Sequence, residues 1–228
     1  MSYDISIWSV RRCLSRLEAE ATWSELCENE IEEPAALIEF PPMKSFLAEV
    51  EEAFPPLSSY ADEDIDSCLW SGDFDVGPAH VTLSCSYSRS KELVQFVLPL
   101  AHRYGLAVYD LVTGLLYAPP SMVTATDCTM ESPWLLQKMN ARPEMISDIV
   151  AVLAKRQDPY LVVARSDEYY MQTLWTDQGY ILEFREGNAA SHYRGSALFD
   201  ADTVASIIRR FVLKEPWQTA VVFENVVV

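Results

Sequence analysis

YLVVARSDEYYMQTLWTDQGYILEFR, residues 160–185, decides the fold class. Three runs rich in β-branched and aromatic residues, Tyr160–Ala164, Tyr169–Trp175 and Tyr180–Arg185, follow one another with only short polar breaks. That spacing predicts an antiparallel meander, with one turn at Asp177-Gln178-Gly179. Downstream, a turn at Gly187-Asn188 leads to a strand at Ser191–Arg194, and Asp200 or Asp202 caps a last helix bearing Val204, Ile207, Ile208 and Phe211. Thr219–Val227 closes the sheet. Upstream, a helix over Pro143–Lys155 turns Ile146, Ile149, Val150 and Leu153 inward.

The N-terminal half repeats the mixture. Tyr3, Ile5 and Ile7 alternate with Asp4 and Ser6 in a strand ending at Trp8. Residues 10–30 read as one or two helices, with Leu14, Leu17 and Ala21 on one side and acids on the other. Another starts after Pro41-Pro42, with Met43, Phe46, Leu47, Val50 and Phe54 at helical spacing, and ends at Pro55-Pro56. An acidic loop over Ser58–Pro78 precedes a half-exposed strand, His80–Ser88, in which Val81, Leu83, Cys85 and Tyr87 share a face. A helix follows over Ser90–Tyr104, with Pro99 as a kink point and Gly105 where a left-handed cap belongs. Leu106–Leu111 and Leu115–Ala118 are short strands. Pro119-Pro120 and the polar stretch to Thr129 form the best boundary. The expected fold is α+β: mixed or antiparallel sheets with helices on one face, in halves 1–120 and 121–228, either as two domains or as one continuous sheet system.

Charge is the second informative feature. The 228 residues hold 34 acids and 17 Lys and Arg, a net charge of −17. That balance argues against direct binding of nucleic acid or an anionic membrane, since phosphates demand basic patches. The excess is regional: Glu18 to Asp75 contains seventeen acids and one base, Lys44, whereas the rest of the chain is nearly neutral. Two clusters stand out, Glu28, Glu30, Glu32 and Glu33, then Asp62, Glu63, Asp64, Asp66, Asp73 and Asp75 around Trp70 and Phe74. Solvated loops explain some of this. A docking surface for a basic protein explains the concentration, with Trp70 or Phe74 as the desolvated anchor. Calcium binding by residues 62–75 lacks the EF-hand order of ligands.

Catalytic signatures are absent. His80, His102 and His192 form no metal-ligand spacing, and the chain has no G-x-S-x-G elbow, P-loop or G-x-G-x-x-G. His102 reads as satisfied or on the surface, and His192 as meeting a cross-strand polar partner. Glu183 and Glu186 fall on opposite faces of a strand, so Glu183 and Arg185 read as a solvated or cross-strand charged set rather than a catalytic pair. The five cysteines, Cys13, Cys27, Cys68, Cys85 and Cys128, contain no C-x-x-C and read mostly as core thiols of a reducing compartment. MSYDISIWSVRR lacks the order of a secretory leader, and the most apolar window, Leu93 to Ala101, is too short to span a membrane. A cytoplasmic protein without catalytic residues, metal or cofactor is therefore expected.

Three segments together carry a resemblance: MSYDISIW, LAHRYGLAVYDL followed by LLYAP, and GYILEFREGNAASHYRGSALFDADTVASIIRRF. The combination resembles small cytoplasmic immunity proteins of bacterial polymorphic toxin systems, which use contact-dependent or type VI delivery. The resemblance touches about a third of the chain, through structural signatures rather than a catalytic motif. It implies a non-enzymatic α+β protein that binds the toxin domain encoded beside it and blocks that domain's active site. It transfers no residue-level site, so the partner surface expected here comes from charge placement alone. The cognate toxin would present a basic cleft, covered by the acidic segment 18–75. The alternatives are a hydrolase with an unrecognised site and an acidic regulatory or scaffold module.

Overall fold

The computed structural model describes residues 2–28, 33–154 and 156–226, with the side chain of Asp62 outside the description. The fold is α+β and consists of two compact units, Met1–Val123 and Thr124–Val228.

The first unit runs β1 (Ser2–Trp8), α1 (Arg16–Glu28), α2 (Pro42–Ala53), β2 (Asp75–Val76), β3 (His80–Ser86), α3 (Ser90–Arg103), β4 (Ala107–Asp110) and β5 (Leu115–Tyr117). Its antiparallel sheet has the order β2-β3-β1-β4-β5. Register follows from the two-residue period. Tyr3, Ile5 and Ile7 of β1 sit opposite Cys85, Leu83 and Val81 of β3, and all six are buried. Trp8 points to the other face, where it stacks on Tyr109 at 4.5 Å and donates its indole N–H to Ser6 Oγ at 2.8 Å. Ala19, Leu14 and Leu116 complete that second core, so α1 covers this face while α3 packs against β3 and β4.

Local chemistry sets the helix ends. The predicted helix over 10–30 starts only at Arg16, because Ser15 and Glu18 form a capping box, Ser15 N–H donating to Glu18 Oε2 at 2.8 Å. Leu14 thus precedes it, and its buried face is Ala19 and Thr22, with Leu17 and Ala21 exposed. At the end of α3, Gly105 adopts φ +73 and donates to His102 O, while Leu106 donates to Ala101 O, a complete Schellman motif. The helix continues through Pro99, whose exposed ring costs it a hydrogen bond only on the solvent side. His102 is satisfied, as its Nε2 lies 3.0 Å from Tyr117 O.

The second unit comprises β6 (Thr129–Glu131), β7 (Met139–Asn140), α4 (Ile146–Leu153), β8 (Tyr160–Ser166), β9 (Tyr169–Thr176), β10 (Gly179–Glu186), β11 (His192–Gly195), α5 (Ala201–Leu213) and β12 (Phe223–Asn225). The sheet order is β12-β11-β10-β9-β8-β6-β7, antiparallel throughout. The meander is as expected. The helix expected over Pro143–Lys155 is a 3₁₀ turn at Pro143–Met145 followed by α4, and the closing strand is shorter than Thr219–Val227. Strand β2 lies in the stretch expected as an acidic loop, and β6 and β7 lie where no element was expected. Leu161, Val163, Met171, Leu182 and Phe184 are buried with the inward faces of α4 and α5. Tyr180 donates its hydroxyl to Val150 O at 2.8 Å. Asp200 caps α5, accepting from Thr203 N–H at 2.7 Å. Among the described residues, no helix is long and apolar enough to cross a membrane.

The β4–β5 connection depends on one buried carboxylate. Asp110 accepts from Val112 N–H at 3.0 Å and from Thr113 Oγ1 at 2.6 Å. Asp110→Ala removes that acceptor from a buried turn and is expected to lower the unfolding free energy by about 2 kcal/mol in urea titrations. Asp110→Asn keeps an acceptor oxygen and should recover part of the loss.

Candidate functional site

The structure divides the acid-rich segment into carboxylates used by the fold and carboxylates left in water. Glu18 is held by Arg12 and the Ser15 backbone, and the Arg12 hydrogen bond is the main reason its pKa falls to about 2. Glu20 pairs with Arg16, and Glu49 with Arg103 and the Tyr104 hydroxyl. Glu33 is also committed. It accepts from Ala79 N–H at 3.1 Å and lies 3.0 and 3.2 Å from His80 Nδ1, while His80 Nε2 stands 3.7 Å from Asp75. His80 thus sits between two members of the predicted partner surface, an arrangement that the sequence reading missed because it joins residues 47 positions apart.

The remaining expected residues separate further. Glu28 is exposed at the end of α1, and Glu30 and Glu32 lie outside the described residues. Residues Asp62–Ser67 form a 3₁₀ turn that exposes Glu63, Asp64 and Asp66 around Ile65, itself 46% exposed. The Asp62 side chain lies outside the description. Asp73 and Asp75 are exposed on the approach to β2.

Trp70 corrects the anchor expectation. It is only 3% exposed, donates its indole N–H to Phe54 O at 3.0 Å, and meets the rings of Phe54 and Phe74 edge-on. A large amphipathic ring gains most by burial when its N–H finds an acceptor, and here a backbone carbonyl supplies one. Phe74 is half-buried against it.

Helix polarity adds to the acidic field. Neither α1 nor α2 carries a base in its last turn, and both end in carboxylates, Glu25 and Glu28 in α1, Glu51 and Glu52 in α2. A negative charge at a helix C-terminus opposes the macrodipole at a cost of about 0.3–1 kcal/mol.

The second unit holds a polar cluster of which the sequence singled out only Glu183 and His192. Glu131, Val162, Gln172, Glu183, Arg194 and Glu224 form one row across β6, β8, β9, β10, β11 and β12. Glu183 is cross-strand but buried, and its charged partner is Arg194, whereas Arg185, expected in the same set, pairs with Glu168. Its Oε1 accepts from Arg194 Nε and its Oε2 from Gln172 Nε2, both at 2.6 Å. His192 Nε2 stands 3.4 Å from Glu183 Oε2, yet neither ring nitrogen makes a hydrogen bond. Val162, Gln172, Glu183 and Arg194 of this row, with Tyr160, Leu174 and Ile181, wall an open depression of about 330 Å³.

Burial pushes the Glu183 carboxyl up, but the hydrogen bonds from Gln172 and Arg194 and the Arg194 charge outweigh it, leaving the pKa below the usual carboxylate range. A carboxylate with both oxygens occupied and a lowered pKa is a poor base, so this cluster orients Arg194 better than it moves protons. Among the described residues, no group of three or more His, Cys, Asp or Glu side chains is arranged to hold a metal ion. Cys68, Cys85 and Cys128 are buried. No protein-family model matches the chain, and neither a curated protein nor a solved structure matches it.

The direction of the Glu183 shift fixes a pH dependence. Its stabilising contribution is complete above the unfolded value of about 4.3 and is lost as pH falls through the lower folded value. Wild type should therefore be more stable than Glu183→Gln near neutrality, with the gap closing below about pH 4. Denaturant titrations over a pH series measure this, and a gap independent of pH would contradict the assignment.

Proposed function

We propose that this chain is an immunity-type binding protein, cytoplasmic in location, that neutralises a cognate toxin domain by covering a basic active-site cleft. One observation carries the reading: Glu25, Glu28, Glu39, Glu51, Glu52, Glu63, Asp64, Asp66 and Asp73 stand exposed in one unit, and no cation pairs with them among the described residues. Solubility needs net charge, but it does not need that charge gathered in one quarter of the chain, nor placed at helix ends that it destabilises.

Such a surface acts first on encounter. Clustered charge raises association rates toward about 10⁸–10⁹ M⁻¹s⁻¹ at low salt, and the gain disappears as the Debye length falls from about 10 Å at 0.1 M to about 3 Å at 1 M. Inhibition then follows from occlusion and requires no chemistry from this chain. The exposed turn Asp62–Ser67 is the part of the surface best suited to reach into a cleft, because Ile65 projects apolar area among the carboxylates.

Affinity capture of the tagged chain from its host's lysate, washed at rising salt, identifies the partner by mass spectrometry. The triple variant Glu63→Lys, Asp64→Lys, Asp66→Lys is expected to slow association with that partner at least about tenfold at low salt while changing dissociation less. Unchanged binding by the triple variant would remove this turn from the interface.

A further inference from the structure

We propose that a cleft in the first unit, between residues 39–47 and 76–78, receives one large apolar side chain from an extended basic segment of a protein partner. This inference rests on the binding reading above and names the contact that charge alone does not supply. The cleft has a volume of about 180 Å³. Phe40, Pro41, Met43 and Leu47 form one wall, and Val76, Gly77 and Pro78 the other. A cavity of about 150 Å³ already accommodates benzene, so one aromatic or long aliphatic side chain fits.

Both walls are built on a single buried residue. Ser9 O accepts from Ile38 N–H at 3.0 Å, and Ser9 N–H donates to Ala79 O at 3.0 Å, so opposite sides of one backbone unit hold the two approaches. The first wall is stiffened by Pro41 and Pro42 and by Met43 N–H donating to Phe40 O. The second is fixed by the Glu33 carboxylate on Ala79 N–H and His80. A side chain at Gly77 would overlap the His80 ring and Glu33 Oε1, so glycine is required for this clamp to close. A preformed cleft spares the partner the cost of ordering it.

Two further features select the occupant. Strand β2 is a sheet edge, and Gly77 N–H bonds His80 O. The alternation of an antiparallel ladder then leaves the Val76 N–H and C=O facing outward, where an extended segment can pair. Val76 is also 52% exposed. Glu39, an exposed acid, and Lys44, the one base of the acid-rich segment, both line the cleft, and the exposed Asp75 stands next to Val76 in β2. The segment around the cleft holds seventeen acids and one base between Glu18 and Asp75, which matches an apolar residue flanked by Lys or Arg, whereas a second copy of this chain would set like charge against like.

The test uses the full chain and a synthetic lysine-flanked peptide with one central tryptophan, beside the same peptide carrying alanine. Fluorescence anisotropy should show the tryptophan peptide binding at least about tenfold tighter. Amide shifts in ¹⁵N-labelled protein should concentrate at residues 40–47 and 76–78. Val76→Arg alters an exposed side chain without disturbing the core and should abolish the preference for tryptophan. Equal, salt-sensitive binding of both peptides would overturn the cleft while leaving the acidic surface as a docking face. Amide shifts elsewhere, absence of binding by either peptide, or free indole binding as tightly as the tryptophan peptide would also overturn it.

Discussion

A carboxylate that leaves water must find donors for its oxygens or give up its charge. This constraint sorts the acids of the chain. Glu183 takes one hydrogen bond on each oxygen from side chains on the two neighbouring strands. Asp110 holds its own turn, and Glu33 ties Ala79 and His80 to the segment that follows α1. Each is fully engaged by the fold and contributes little to the outer field. Glu63, Asp64 and Asp66 and the acids at the C-terminal ends of α1 and α2 have no such role, and their charge acts outward. A list of acidic residues therefore overstates the docking surface, because membership depends on which carboxylates the interior has already used.

Periodicity made the architecture legible, and its limits explain what was missed. The meander strands are long enough for alternation to register, and Gly105 and Asp200 mark helix boundaries by local chemistry acting within a few residues. Strands β2, β6 and β7 have two or three residues each, too few to show a period, and their neighbours' pairing creates them. The start of α1 was readable in principle from Ser15 and Glu18, but apolar spacing drew attention to Leu14 instead. Class and order of elements were thus sequence-local, whereas the short edges are consequences of the assembled sheets.

The candidate site was less legible for a related reason. Charge density is a property of sequence, but exposure is not. Trp70 among carboxylates reads as an anchor, yet Phe54 and Phe74 enclose it and Phe54 O satisfies its N–H. The Glu33–His80 contact and the Ser9 support join residues far apart in the chain, and no motif announces either. Glu183 was placed correctly across strands, but its burial depends on the long side chains arranged around it.

Withdrawing Trp70 from the surface changes what a tight complex would demand. Carboxylates in water steer a partner and set its orientation, but exposed ion pairs are worth only about 0–1 kcal/mol each. Tight complexes draw most of their energy from a few desolvated apolar anchors in well-packed pockets. Among the described residues, the large apolar side chains that this unit exposes are Leu17, Ile65, Val76 and Tyr87, and it also holds a concave apolar cleft. The cleft is the part of that surface shaped to accept an anchor. The large side chain would then belong to the partner, and the acids of the surrounding segment would select which chains carrying such a side chain approach closely enough to insert it.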